Sequence, residues 1–139
     1  MKFVRGSAPR FDADSAEQPR PYALLLTENK GLVSKIGQPF ILAGCDLVMS
    51  KTSHEASRHI VRLRPGYVVV EIEHLRSESH RFLKSLPARD ARTFQLVVII
   101  RHPLLRALAE SAHADYILTC REQSPFLPAQ IRRLCMSGA

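Results

Sequence analysis

The sequence predicts a single α/β domain built on a five-stranded parallel sheet with helices on both faces. The segment 67–70 is apolar without a polar break and mostly β-branched, which is typical of a strand covered on both sides in a parallel sheet. Strand-like and helix-like segments then alternate five times along the chain, the rhythm of right-handed crossovers between parallel strands. A chain of 139 residues, 45% of them hydrophobic, is long enough for one domain with a substantial core.

The strands can be placed from apolar segments bounded by turn residues. We expect residues 1–21 to be a flexible N-terminal arm, since this part contains Gly6, Pro9 and Pro19 and few apolar side chains, and residues 22–139 to be the folded domain. Pro65-Gly66 marks the start of the central strand. The predicted strands are 22–27, 45–49, 67–71, 94–100 and 115–119.

Helical segments lie between these strands, and their ends can be assigned from capping residues. Gly44 should end the first helix, and Pro39 should kink or restart it because proline lacks the backbone donor. Ser53 and Ser77 are the expected N-caps of the second and third helices, and Pro103 is expected in the first turn of the fourth. The predicted helices are about 32–43, from 53 past 63, 77–86, 103–112 and a last one ending at 136, with a basic loop at 87–93.

The charge and the cysteines limit the classes of function. The net charge is +7, and residues 76–106 hold seven basic residues against two acidic ones. Such a segment suits an acidic partner or a phosphate-bearing ligand, or is simply a solvated face. Cys45, Cys120 and Cys135 are odd in number and widely spaced, which favours reduced thiols in the cytoplasm and gives no metal-ligand spacing. The chain has neither a secretory signal nor an apolar run of membrane-spanning length, so we expect no membrane partner.

Four local patterns, in order and spacing, resemble the response-regulator receiver (CheY-like) family across residues 22–136. They are Leu-Leu-Leu-Thr-Glu-Asn at 24–29, Ala-Gly-Cys-Asp-Leu-Val at 43–48, Arg-Pro-Gly-Tyr-Val-Val-Val-Glu at 64–71 and Ala-His-Ala-Asp-Tyr-Ile-Leu at 112–118. The resemblance implies a flavodoxin-like three-layer α/β/α sandwich with strand order 2-1-3-4-5.

The residues at the family's functional positions differ from those of active receivers. The resemblance places Thr27 and Glu28 where two acids hold magnesium, and Glu71 where an aspartate accepts the phosphoryl group. Arg101, or Ile100 with a one-residue shift, takes the place of the hydroxyl residue after strand four. The lysine after strand five falls on Thr119 or Cys120, and the switch aromatic on Tyr116 in the Thr119 register, otherwise on Ile117.

These differences argue against aspartyl-phosphate chemistry. Loss of one acid weakens a magnesium site, the longer Glu71 displaces the nucleophile, and the Arg101 cation competes for the same carboxylates. We therefore expect a degenerate receiver, or pseudo-receiver, that is not an enzyme and needs no cofactor. We also expect Glu71 and Arg101 to form an ion pair, with Glu28 joining, because strands three and four are neighbours in the implied order. The simpler alternative is that Glu71 is a surface carboxylate.

Three classes of function remain open. The leading one is a signalling module that works through protein–protein contact, as a homodimer formed by helix four, strand five and helix five. In the family this face commonly serves dimerisation or output, and Leu104, Leu105 and Leu108 exceed what one helix face normally buries. The second is a nucleic-acid-binding regulatory protein that uses the basic residues 76–106, although no motif supports it, and the third is a phospho-accepting response regulator. The charged and polar residues expected on the interaction face are Arg106, His113, Arg132 and Arg133.

Overall fold

The sheet has the predicted architecture. The computed structural model describes residues 21–27, 29–73, 77–119 and 127–137. The five strands are all parallel to their neighbours, and their order is β2-β1-β3-β4-β5, which confirms the implied flavodoxin-like topology. The strands are β1 Tyr22–Leu26, β2 Asp46–Ser50, β3 Tyr67–Ile72, β4 Gln95–Ile100 and β5 Tyr116–Thr119.

Helices connect these strands, and the expectation about Pro39 is met only in part. Pro39 lies inside a continuous helix and does not restart it, while the expected kink stays a prediction. Ile36 and Phe40, on either side of the proline, are both buried in the core, and this packing outweighs the lost backbone hydrogen bond.

No described helix has the length and hydropathy to cross a membrane. The helices are α1 Lys30–Leu42, α2 Ser53–Leu63, α3 Glu78–Ser85, α4 Arg106–Ser111 and α5 Leu127–Ser137, with 3-10 turns at Arg89–Ala91 and Pro103–Leu105.

The helix ends agree with the capping predictions except at α2. Ser77 caps α3, since its hydroxyl accepts from the backbone N–H of His80 at 3.2 Å. The N-cap of α2 is Thr52 and not Ser53, because Thr52 has the extended conformation and its Oγ1 accepts from the N–H of Glu55 at 3.1 Å. Gly44 follows α1 with φ of 92°, the left-handed conformation that suits glycine at a helix end.

Each face of the sheet carries its own hydrophobic cluster. Alternate strand residues such as Leu25, Val69 and Val97 pack against α1 and α5. The intervening residues, such as Leu24 and Val68, pack against α2, α3 and α4. Because both faces are covered, the central strands are apolar at successive positions, over 68–70 in β3 and 96–100 in β4, which is the pattern that made them recognisable in the sequence.

The two described cysteines, Cys45 and Cys135, are buried and form no disulfide with each other. Burial, together with the nearby thiol of Cys45, raises the pKa of Cys135 to about 11. This thiol is therefore protonated and unreactive at neutral pH, as expected of a small residue that fills the core. Cys120 lies outside the described residues.

Candidate functional site

The candidate site lies at the carboxyl ends of β1, β3 and β4, which are adjacent in the sheet. Thr27 follows β1, Glu71 lies in the last part of β3, and Arg101 follows β4. Side chains two positions apart along a strand point to the same face of the sheet. The three site residues each come two positions after a residue that faces α1 and α5, so all three side chains lie on that face. The preceding residues are Leu25, Val69 and Ile99. The carboxyl edge of an open α/β sheet is where ligand sites of such folds occur.

Glu71 is the centre of this site. Its side chain is only 1% exposed, and each carboxylate oxygen has a partner. Thr27 donates its hydroxyl proton to Oε1, and the guanidinium of Arg101 donates from Nε to Oε2 at 2.8 Å. The predicted ion pair between Glu71 and Arg101 is confirmed. The alternative of a surface carboxylate is wrong, since Glu71 is buried.

The hydroxyl of Thr27 makes two hydrogen bonds, one as donor and one as acceptor. Its oxygen accepts from the backbone N–H of Asn29 at 3.0 Å, while its single proton goes to Glu71. The turn after β1 is thereby connected to the end of β3. Thr27 thus supplies a donor at a position where the receiver family has an acid. Glu28, expected to join the ion pair, lies outside the described residues.

Arg101 is the member of the site that is partly exposed to solvent. The side chain of Arg101 is 31% exposed, and its Nε also lies 3.8 Å from Oε1 of Glu73. Arg101 therefore has one buried carboxylate close by and a second, more exposed one at longer range. The contact of Arg101 with Glu71, at 2.8 Å, is at hydrogen-bond distance, whereas the contact with Glu73, at 3.8 Å, is not. The Glu71 contact is therefore the main one.

The described residues around Glu71 do not fit the magnesium ion that the resemblance to receiver domains implies. Magnesium requires anionic or neutral oxygen ligands in octahedral geometry. Here both oxygens of Glu71 accept hydrogen bonds, and a guanidinium lies 2.8 Å from one of them. Among the described residues no three side chains of His, Cys, Asp or Glu form a group that could hold a metal ion.

The residues of β5 lie beside the site. Thr119 pairs with Ile100 and is half-buried, while Cys120, the alternative lysine position, lies outside the described residues. Tyr116 packs against the α1–α5 cluster, and Ile117 packs on the side of α4. The side chain that faces α4 is therefore the isoleucine. The role of Tyr116 as a switch aromatic stays a prediction.

The expected interaction face is exposed, but its apolar part is smaller than predicted. Leu105 is buried and Leu108 half-buried, whereas Leu104 is 82% exposed. Of the three leucines expected to leave apolar surface uncovered, only Leu104, in the turn before α4, is exposed. The polar members of the face, Arg106, His113, Arg132 and Arg133, are all exposed.

Two arginines of the basic loop have structural roles that the sequence did not reveal. The guanidinium of Arg92 donates to the carbonyl oxygens of Pro87, Ala112 and His113, fixing the loop to the end of α4. Burial lowers the pKa of Arg92 from its usual value, and Asp115 opposes this shift. Arg89 pairs with Asp115 at 3.0 Å. The acceptors of Arg92 are backbone oxygens, which every residue has, so no sequence signal marks them.

Known proteins resemble this chain in structure but not in sequence. No family model and no curated protein matches the sequence. The fold is that of response-regulator receiver domains. The phosphorylated cyanobacterial phytochrome response regulator RcpA matches with TM-score 0.68 and 14% identity, covering 87% of this chain and 97% of that one. The chemotaxis response regulator CheY4 of Vibrio cholerae matches with TM-score 0.67 and 12% identity, covering 87% and 100%. An orphan response regulator of H. pylori matches with TM-score 0.66 and 14% identity, covering 87% and 100%.

Proposed function

We propose that this chain is a degenerate receiver domain of bacterial signal transduction, which is not phosphorylated and acts through contact with other proteins. The observation that carries the proposal is the state of Glu71. The carboxylate that occupies the phospho-acceptor position is buried, and both of its oxygens are engaged by Thr27 and Arg101. The receiver fold supports a place in signalling, and the filled site supports a non-catalytic role.

The chemistry of phosphoryl transfer explains why this site is unsuited to it. An accepting carboxylate must present a free oxygen in line with the leaving group, and metal and cationic groups must neutralise the transferred phosphoryl group. Here attack by either oxygen of Glu71 first requires loss of a hydrogen bond in a buried position. Arg101 neutralises the carboxylate itself, so its charge is not available at the position where magnesium would be needed.

The ion pair also holds the site in one arrangement. Glu71 belongs to β3 and Arg101 follows β4, so their contact joins the ends of two neighbouring strands. Thr27 adds the end of β1 to the same network. A charged hydrogen bond with a buried carboxylate is directional and resists displacement. We infer that the edge that moves on phosphorylation in active receivers is constant in this protein, so that its partners recognise a single state.

The first test is direct. After incubation with acetyl phosphate and Mg²⁺, the protein should show no mass increase of one phosphoryl group. The reason is that neither oxygen of Glu71 is free to attack. Intact-mass spectrometry measures the result, and the cyanobacterial response regulator RcpA, which has been solved in its phosphorylated form, is treated in parallel as the positive control. Stoichiometric labelling that peptide mapping places on Glu71 would contradict the proposal.

The nucleic-acid alternative loses support from the structure of the basic segment. Of its cations, Arg81, Arg89, Arg101 and Arg106 lie 2.8–3.6 Å from carboxylate oxygens of this chain. The guanidinium of Arg92 donates hydrogen bonds to backbone carbonyl oxygens. Binding to a phosphate backbone depends on cations that can release counterions, and these side chains already have anionic or carbonyl partners.

We further propose that the face formed by α4, β5 and α5 makes a homodimer. β5 pairs with β4 along one side and is half-buried throughout, and Leu104 is 82% exposed beside it. We expect Leu104→Asp to weaken self-association by roughly tenfold, as for removal of a central apolar anchor. Sedimentation velocity across a wide concentration range measures this. Leu42→Asp is the matched control, because Leu42 is 70% exposed at the end of α1, directly before β2, the strand at the opposite edge of the sheet from β5. A monomer at every concentration would contradict the dimer.

A further inference from the structure

The positive charge that remains unpaired on one face of the sheet lies on α2 and α3. Arg58, Arg62 and Lys84 are exposed. Within the part of the chain that the structure describes, none of the three lies within ion-pair distance of a carboxylate. This contrasts with the arginines of the 89–106 segment, which have partners within the domain. The available charge on this face is therefore Lys84 together with two arginines of α2 that lie outside the segment in which the sequence concentrates positive charge.

The outward side of α2 also carries an apolar residue that the fold does not use. Val61 is 76% exposed, and helical spacing places it beside Arg58, three residues earlier, while Arg62 is a neighbour of Arg58 one turn further along. A β-branched residue lowers helix propensity, and an exposed one buries no surface, so Val61 contributes little to stability. The helix then ends at Arg64, an exposed cation with φ of 49°, where glycine would meet no strain.

Two acidic residues, Glu55 and Glu78, accept hydrogen bonds at the amino end of α2, the end away from Val61 and Arg62. Glu55 accepts the backbone N–H of Lys51 at 2.8 Å. Glu78, in the first turn of α3, accepts the N–H of Ser53 at 2.8 Å and also pairs with Arg81. This contact aligns the amino ends of α2 and α3, which run parallel because both return from the carboxyl edge of the sheet. The second half of α2 is left with Arg58, Arg62 and Val61, and Lys84 lies near the carboxyl end of α3, the parallel helix that packs beside α2.

We propose that this α2–α3 surface, defined by Arg58, Val61, Arg62 and Lys84, binds an acidic protein segment that carries an apolar side chain. Unpaired arginines around an apolar residue form the pattern of a protein interface, in which Arg supplies charge-assisted hydrogen bonds and the apolar residue supplies contact area. A nucleic acid would place phosphates against Val61, and no exposed aromatic ring lies among these four residues to stack on a base. The inference does not depend on whether Glu71 accepts a phosphoryl group.

The probe for this surface is a fluorescein-labelled peptide of four Glu-Asp-Leu repeats, measured by fluorescence anisotropy at low salt. We expect it to bind, and to bind more weakly as salt increases. The double variant Arg58→Glu with Arg62→Glu should lose affinity by roughly tenfold or more, the effect expected of interface arginines. Val61→Ser should weaken the Leu-containing peptide but not a peptide in which Gly replaces Leu. Circular dichroism checks that each variant keeps its helical content.

The matched control is Lys35→Glu on α1, the other face of the sheet, compared with Arg62→Glu alone, because the two single variants change the net charge equally. If only net charge mattered, both single variants would lose the same affinity, and the proposal would be wrong. Absence of binding to the wild-type protein, or equal affinity for the Leu and Gly peptides, would also overturn it. A single-stranded oligonucleotide of the same length that bound more tightly than the peptide would assign the surface to nucleic acid instead.

Discussion

Replacing Arg101 by methionine should lower the free energy of unfolding by about 3 kcal/mol, the low end of the range for breaking a buried ion pair. Arg101 donates to Oε2 of Glu71, whose side chain is 1% exposed, so its removal leaves a buried carboxylate without a counterion. Thr27 would still donate to the other oxygen. We place the loss at the low end because Arg101 itself is 31% exposed. Urea unfolding at neutral pH measures the change.

Two further variants make this experiment specific to the buried pair. Arg106→Met removes an arginine that lies 3.6 Å from Glu110 on the exposed surface of α4, and should cost no more than about 0.5 kcal/mol. The double variant Glu71→Met with Arg101→Met should be more stable than Arg101→Met alone, because no unpaired carboxylate remains. An effect of Arg101→Met as small as that of Arg106→Met would show that Glu71 does not depend on Arg101.

The second large effect is a gain of phosphorylation. Glu71→Asp alone should take up no phosphoryl group from acetyl phosphate. Shortening the acid corrects its reach, but Thr27 still lacks a metal-binding carboxylate and Arg101 still carries a charge that disfavours magnesium. A fourfold variant, with Thr27→Asp, Glu71→Asp, Arg101→Thr and Thr119→Lys, should gain one phosphoryl group per chain. Residues that act as one catalytic unit are strongly non-additive, so repair of one member restores little.

Intact-mass spectrometry distinguishes these outcomes. Because Thr119 and Cys120 are both candidates for the lysine position, a second fourfold variant carries Cys120→Lys in place of Thr119→Lys. The control replaces Glu71→Asp with Glu71→Asn in either version, which removes the nucleophile and should abolish the mass gain. Phosphorylation of Glu71→Asp alone would show that the site is nearly intact and that the protein is not a pseudo-receiver. Fourfold variants that take up nothing would contradict the assignment of these positions.

The parallel sheet could be predicted because it depends on patterns that are local in the sequence, and its strand order followed from the resemblance to receiver domains. Unbroken apolar segments such as 67–70 appear only where both faces of a strand are covered, and their alternation with helices implies parallel pairing. The ion pair between Glu71 and Arg101 could be predicted from the same information. Once β3 and β4 are neighbours, residues at their carboxyl ends must lie side by side.

Other features depended on contacts between distant residues. The role of Thr27 as a donor to Glu71 joins positions 44 residues apart, and its residue type alone does not choose between a turn hydroxyl and a buried hydrogen bond. Arg92 is held by backbone oxygens, which have no counterpart in the sequence. Pro39 remains inside α1 because Ile36 and Phe40 are buried on the sheet, although local propensity favours a break there.

The sequence by itself therefore determined the fold class, and its resemblance to receiver domains implied the strand order. Apart from the pair of Glu71 and Arg101, only the tertiary structure decided which charges are paired. The segment 76–106 is strongly basic in the sequence, yet four of its arginines have carboxylate partners and Arg92 binds carbonyls. Arg58 and Arg62, outside that segment, are exposed without such partners among the described residues. The physical reason is that a charge acts over a few ångströms in space, and the fold sets which acids lie within that distance.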